Sequence, residues 1–164
     1  MPVTVRRVRP EEWPALRDIR LRALRDAPFA FGSTYEDEAA FLAETWRQRA
    51  AGVEGVRATF VAEGAGGWLG IATGLGNDPA PGTAMLAGMF VVPQARRLGV
   101  ATALVEAVVD WARSHGARRL ELDVTGTNAA AIRLYQRAGF TDTGIRAPLD
   151  HTPSILEWRM ARDL

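Results

Sequence analysis

The stretch from Thr83 to His115 limits the fold more than any other. Thr83 to Val92 is a strongly apolar run, the pattern of a central, buried strand. Pro93 ends it, and a short loop carries Arg96, Arg97 and Gly99. Leu98 to His115 then has the spacing of an amphipathic helix stopped by Gly116. Arg119 to Val124 alternates Leu120, Leu122 and Val124 against Glu121 and Asp123, which is the period of a strand. Strand, helix and strand make a crossover unit, and the remaining elements have to be arranged around it.

Before this unit the chain reads as a short strand at Val3, Val5 and Val8 and a helix opened by Pro10-Glu11-Glu12. Leu16, Ile19, Ala23 and Leu24 give that helix its apolar face, and Ala27-Pro28 stops it. A loop from Phe29 to Thr34 carries two exposed-looking aromatics, Phe29 and Phe31, and reads equally as a lid or as a segment packed against the core. A second helix is predicted from Glu36 to Ala50. Val56 to Glu63 and Trp68 to Leu75 form a hairpin through Gly64-Ala65-Gly66-Gly67, and Gly76 to Gly82 is a turn cluster. After the crossover come a short helix, Ala129 to Ala138, and two closing strands, Phe140 to Ile145 and Ile155 to Met160. The expected class is α+β: a mixed, mostly antiparallel central sheet of about 6–7 strands flanked by about 4 helices, in one domain over 1–164.

Composition removes several chemistries. All 20 basic residues are arginine, so a Schiff-base lysine, a Walker lysine and a lysine base are excluded. No cysteine is present, which excludes a thiol nucleophile, a disulfide framework and cysteine-ligated zinc. The two histidines, His115 and His151, are too few for a histidine-rich metal site, and no metal is expected. A net charge of +1 argues against nucleic acid as partner. No apolar run reaches the roughly 18 residues of a membrane span, and Met1 to Glu12 lacks a signal-peptide core. A cytoplasmic protein without membrane association is the expectation.

The loop between the apolar strand and its helix has a chemistry of its own. The backbone N–H groups of a helix's first turn have no partner within the helix. With the helix dipole behind them, they form an anion site. Gly99 allows a ligand close to the backbone, and Ala101 keeps the next turn small. Each N–H bond to a phosphate oxygen contributes about 1.5–3 kcal/mol. The loop lacks the lysine of a Walker motif and the three glycines of the dinucleotide fingerprint. Read alone, it is equally an ordinary strand–loop–helix connection.

Downstream, Asn128 stands at a helix N-cap, and Tyr135 follows two helical turns later on the same face. The pair Arg96-x-x-Gly99-x-Ala101 and Asn128-x-x-Ala131-x-x-x-Tyr135-x-x-x-Gly139-Phe140 resembles the acyl-CoA signature of the GNAT superfamily of N-acetyltransferases. The element order resembles the α/β/α-like GNAT fold over nearly the whole chain. The resemblance implies acetyl-CoA as cosubstrate. It places the pantetheine arm along Met89, Phe90 and Val91 and the phosphates on Arg96, Arg97, Leu98, Gly99, Val100, Ala101 and Thr102. It assigns Asn128 a hydrogen bond to the arm, and Tyr135 the role of proton donor to the leaving thiolate.

The resemblance also implies direct transfer to an amine, which the absence of cysteine fits. GNAT enzymes often carry a glutamate base on the central strand, and Thr83 to Val92 has no acid. Asp123 is the substitute candidate base. Family members that acetylate ribosomal-protein N-termini have a carboxylate at this place in a similar stretch. The structural alternative for Asp123 is a solvated strand end or a salt bridge to Arg119, and Glu121 is a weaker candidate. The acceptor site is expected between the first two helices, their apolar loop and the final hairpin; Glu36, Asp37 and Glu38 there either attract a cationic amine or only offset the helix dipole, and His151 is either a solvated loop residue or a substrate contact. A small-molecule amine is the expected acceptor. A protein N-terminus and a non-catalytic acyl-CoA sensor are the alternatives. A homodimer through the last strand is common in this fold.

Overall fold

In the computed structural model, which describes residues 2–164, one sheet carries the whole chain. The strands are β1 (Thr4–Arg7), β2 (Arg57–Gly64), β3 (Gly67–Leu75), β4 (Thr83–Val91), β5 (Arg119–Thr125), β6 (Thr141–Leu149) and β7 (Thr152–Asp163). The helices are α1 (Trp13–Asp26), α2 (Tyr35–Ala39), α3 (Ala43–Ala51), α4 (Val100–Ser114) and α5 (Ala129–Arg137). Strand order is β1-β2-β3-β4-β5-β7-β6, which puts the apolar β4 at the centre. All neighbours run antiparallel except β4 and β5, which are joined through α4.

Helix α4 follows directly from its sequence. Val100, Leu104, Val105, Val108, Val109, Trp111 and Ala112 recur at helical spacing and are all buried. In α1, Leu16, Ile19, Ala23 and Leu24 are buried as their spacing requires. The two helices cover opposite faces of the sheet. The α4 face holds Gly70 and Gly74, and the α1 face holds Thr59 and Thr73, whose hydroxyls bond at 2.9 Å.

Three expectations are corrected here. The helix predicted from Glu36 to Ala50 is two helices, α2 and α3, broken at residues 40–42. Glu38 accounts for the break. Its carboxylate is 1 % exposed and is held by Arg20 of α1 at 3.0 Å and by Arg49 of α3 at 2.9 Å. On a straight helix, residues 38 and 49 would lie about 16 Å apart, so both arginines reach one carboxylate only if the helix folds back. Phe31 is buried at 8 % exposure beneath Arg20, while Phe29 stays 52 % exposed. The closing strands run further than predicted, because β7 pairs with β5 along one edge and with β6 along the other. The last strand is therefore interior, and β6 is the edge.

The sheet opens at its centre. Strands β4 and β5 pair only from Thr83↔Arg119 to Leu86↔Leu122, although β4 runs on to Val91 and β5 to Thr125. The cause lies in β4. Its register against β3 slips between Ile71 and Thr73, and Gly88 takes φ +61° there. Such a bulge bends the strand that carries it. A residue with a β-carbon resists this conformation, so glycine is what permits the bend.

Candidate acyl-transfer site

The gap between β4 and β5 presents free backbone. The amide of Val92 donates to Leu69 of β3 at 2.9 Å. Backbone groups alternate sides along a strand, so Val91 and Met89 turn theirs toward the gap. The Val91 carbonyl accepts from Arg96 Nε at 3.0 Å, which leaves its N–H free. Phe90 is buried, and its ring sits under the Arg96 guanidinium at 5.9 Å. Arg96 thus braces the loop onto the strand.

Beyond the gap stands the N-terminus of α4. Gly99 caps it with φ +79°, and Arg97 also lies at positive φ, +66°. Among the described residues, the amides of Arg97, Leu98 and Gly99 donate to no backbone carbonyl. Those of Val100, Ala101 and Thr102 belong to the unpartnered first turn, and Ala103 is the first to reach back, to Gly99 at 3.1 Å. Nothing lies within 4 Å of where a Gly99 β-carbon would stand. Six consecutive amides are therefore without a backbone partner at the positive end of a 15-residue helix, with open space beside Gly99.

On the other side of the gap, α5 begins at Asn128. Its Oδ1 accepts from the Ala131 amide at 3.2 Å, so the oxygen serves as a cap, and the side-chain NH2 has no partner among the described residues. Tyr135 is buried on α5 and packs edge-on against Phe140, with ring centroids 5.8 Å apart. Burial pushes its pKa above the usual tyrosine value. The hydroxyl has no hydrogen-bond partner among the described residues, and it is not one of the fully buried, unpaired polar atoms.

Asp123 lies on the face of β5 opposite Leu122 and Val124. Arg159 of β7 clamps it with both nitrogens of one edge, Nε to Oδ1 at 2.6 Å and Nη2 to Oδ2 at 3.0 Å. Glu121, on the same face, is shared between Arg119 at 2.7 Å and Arg159 at 3.0 Å, which holds its pKa below the usual glutamate value despite burial. The bridge considered between Asp123 and Arg119 is thus replaced by one to Arg159. Glu157, paired across from Thr125, is a residue the sequence reading missed. It enters no ion pair among the described residues, and burial, Asp123 and Asp150 push its pKa up. Its isolation came from strand register, which no local motif encodes.

The α1–α2 loop roofs this end of the sheet. Thr125 Oγ1 donates to the Phe29 carbonyl at 2.9 Å, and His151 Nε2 lies 2.8 Å from the Phe31 carbonyl oxygen. His151 thus ties the final hairpin to the loop. Beside this tie is a cleft of about 370 Å³ whose lining includes Phe29, Tyr35, Glu36 and His151. Of the acidic run, Glu36 lines the cleft, Asp37 donates its backbone N–H to the N-cap hydroxyl of Thr34, and Glu38 is withdrawn into its arginine pairs.

A split parallel strand pair with an anion site at one lip and a tyrosine helix at the other is the architecture of an acyl-CoA-dependent acyltransferase. The Acetyltransferase (GNAT) family matches residues 13–140, and the chain belongs to that family, whose acyl donor is acetyl-CoA. The chain is similar to aminoglycoside N(6')-acetyltransferase type 1 of Klebsiella aerogenes, with 46 % identity over 59 residues, 36 % of this chain and 39 % of the relative. It is also similar to the [ribosomal protein bS18]-alanine N-acetyltransferase of Escherichia coli K12, with 40 % identity over 63 residues, 38 % of this chain and 43 % of the relative. The chain spans less than half the length of these curated relatives. Among solved structures, a GCN5-related N-acetyltransferase from Kribbella flavida superposes with a TM-score of 0.78 at 27 % identity, covering 99 % of this chain and 98 % of that one. No described helix is long and apolar enough to cross a membrane.

Proposed function

We propose that this acyltransferase moves an acetyl group from acetyl-CoA directly to the primary amine of a small-molecule acceptor, with both substrates bound together. The observation that carries the reading is the pairing of six free amides at 97–102 with the unpaired backbone edge of β4. That pairing suits a phosphate-headed ligand whose extended arm enters the sheet as a partial strand. The 370 Å³ cleft supports a small acceptor, since it lies within the usual range for small-molecule sites.

In this reading the neutral amine attacks the thioester carbonyl, the C–S bond breaks, and Tyr135 protonates the departing thiolate. A thiol like cysteine has pKa about 8.5 against about 10 for tyrosine, an uphill transfer of roughly 2 kcal/mol. Burial raises the Tyr135 value further, but the thiolate is desolvated in the same place and becomes more basic too. The acceptor must also lose a proton. Asp123 is clamped by Arg159 through one bond to each carboxylate oxygen. Glu157, free of ion pairs on the same sheet face, is the carboxylate we assign to accept that proton, directly or through water.

Thiol release from acetyl-CoA with a panel of amines tests the reading, and the absence of enzyme cysteine keeps the background low. Acetyl-CoA binding without turnover on any amine would leave a sensor module. A peptide with a free N-terminal alanine belongs in the panel, because the stretch similar to the ribosomal-protein enzyme favours a protein N-terminus as the second reading. Turnover of the peptide well above every small amine would select that reading.

A further inference from the structure

Beneath α1 and α3 lies a charge imbalance that the acyl-transfer machinery does not use. Arg20 and Arg49 hold the oxygens of Glu38, and Arg57 lies near enough to feel the charges of all three. Arg57, on β2, enters no ion pair among the described residues, and burial together with the charges of Arg49 and Arg20 pushes its pKa down. Three buried donors are left without a partner among the described residues: Arg20 Nη1, Arg57 Nε and Trp46 Nε1. These are the only buried side-chain polar atoms there that lack one, and all three come from this layer and the strand beneath it. Native proteins rarely leave such groups unpaired, and three arginines facing one carboxylate leave an excess of positive charge.

The layer also borders the reaction site. A β-carbon on Gly88 would lie 3.7 Å from Arg20 Nη1 and 3.8 Å from Thr73 Oγ1. The unpaired nitrogen of Arg20 therefore sits over the β4 bulge, one residue before Met89, where β4 has left β5. Phe31 stacks under the same guanidinium at 4.7 Å. An anionic group there would be the acceptor that these donors lack, while its carrier stayed beside the β4–β5 gap.

We propose that Arg20 and Arg57 form a subsite for the carboxylate of the acceptor, so that the acceptor class is amines that also bear a carboxylate. The carrier's identity rests on the acyl-transfer reading, whereas anion binding by the arginines does not. Charge-assisted hydrogen bonds of this kind correspond to about tenfold to a hundredfold in affinity.

The test has two arms. In the first, melting temperature is followed with acetate replacing chloride at constant ionic strength, in wild type and in Arg57→Met. Acetate should raise the melting point of wild type and not of the variant. Without acetate, Arg57→Met should melt higher than wild type, because an unpaired buried charge is removed. A lower melting point would mean that Arg57 is already satisfied within the fold, and no acetate effect would mean that no anion binds; either result overturns the proposal. In the second arm, amino acids are compared with their amides in the thiol-release assay. KM should be about tenfold or more lower for the carboxylates, and the difference should vanish in Arg57→Met. Acetate stabilisation without that preference assigns the site to a free anion and overturns the acceptor role. Failure of every amine, with acetate stabilisation intact, would instead remove the acyl-transfer reading and with it the assigned carrier.

Discussion

Asp123 and Arg159 face each other across β5 and β7 in a two-point ion pair, at 2.6 and 3.0 Å. The same guanidinium reaches Glu121, so one arginine holds two carboxylates of one strand face. A carboxylate so engaged must give up an ion pair to take a proton. Glu157, two residues from Arg159 along β7, has no such tie. Glu157→Gln is expected to depress the rate most at low pH and with the more basic amines, the deficit shrinking as pH nears the amine's pKa. Asp123→Asn is expected to lower thermal stability with a rate defect that does not depend on acceptor pKa. Rates from about pH 6 to 10 with two amines of different basicity would decide between them. A pH-dependent defect in Asp123→Asn alone would return the base role to Asp123.

Gly99→Glu is expected to abolish acetyl-CoA binding. The position borders open space, so the side chain is accommodated, but it sets a negative charge among the amides of residues 97–102. Backbone strain at φ +79° is common to any substitution there. Gly99→Ala therefore serves as the control, expected to cost about 1 kcal/mol of stability while still binding. Calorimetric affinity unchanged in Gly99→Glu would place the phosphates elsewhere.

The parts legible in the sequence were those decided locally. The face of α4 is written in Val100, Leu104, Val105, Val108 and Val109, and the anion loop in Pro93, Gly99 and the helix start that follows. The break at residues 40–42 was not legible, because Ala40, Phe41 and Leu42 include no helix breaker. It is imposed from a distance by the burial of Glu38 between Arg20 and Arg49. Arg57 likewise is a polar residue near the start of the strand expected over Val56 to Glu63, and only the layer folded over it shows its burial. His151, expected in solvent or on substrate, instead finds a loop carbonyl 120 residues earlier in the chain.

Tyr135→Phe is expected to lower turnover by about 10–100-fold, in the lower part of the general-acid range, with acetyl-CoA affinity little changed. The structure sharpens this expectation. The hydroxyl has no partner among the described residues, so its loss removes no hydrogen bond from the fold, and the ring keeps its contact with Phe140. Melting temperature should stay within about 1–2 °C of wild type, since the substitution opens no cavity in the core and leaves no buried group unpaired. Unchanged turnover with a good acceptor would remove Tyr135 from the reaction.

Glu38→Gln is expected to destabilise the fold strongly. Removing one partner of a buried pair costs about 3–5 kcal/mol, and here the loss leaves Arg20 and Arg49 facing an uncharged amide. The same residue sets an acid limit. Its pKa is lowered in the folded protein, because Arg20 and Arg49 outweigh the opposing effect of burial. A depressed folded value means that the unfolded chain takes up the proton first. The stabilisation is therefore complete above the ordinary glutamate pKa and is lost as pH falls through the folded value. Glu12, drawn down to about 2 by its two-point pair with Arg6, acts in the same direction. Melting temperature should thus fall steeply from about pH 4.5 toward pH 2 in wild type. In Glu38→Gln the curve should start lower and fall less over that interval, because one of the carboxylates that drives the loss is gone. Parallel curves for the two proteins would show that the fold does not lower the Glu38 pKa.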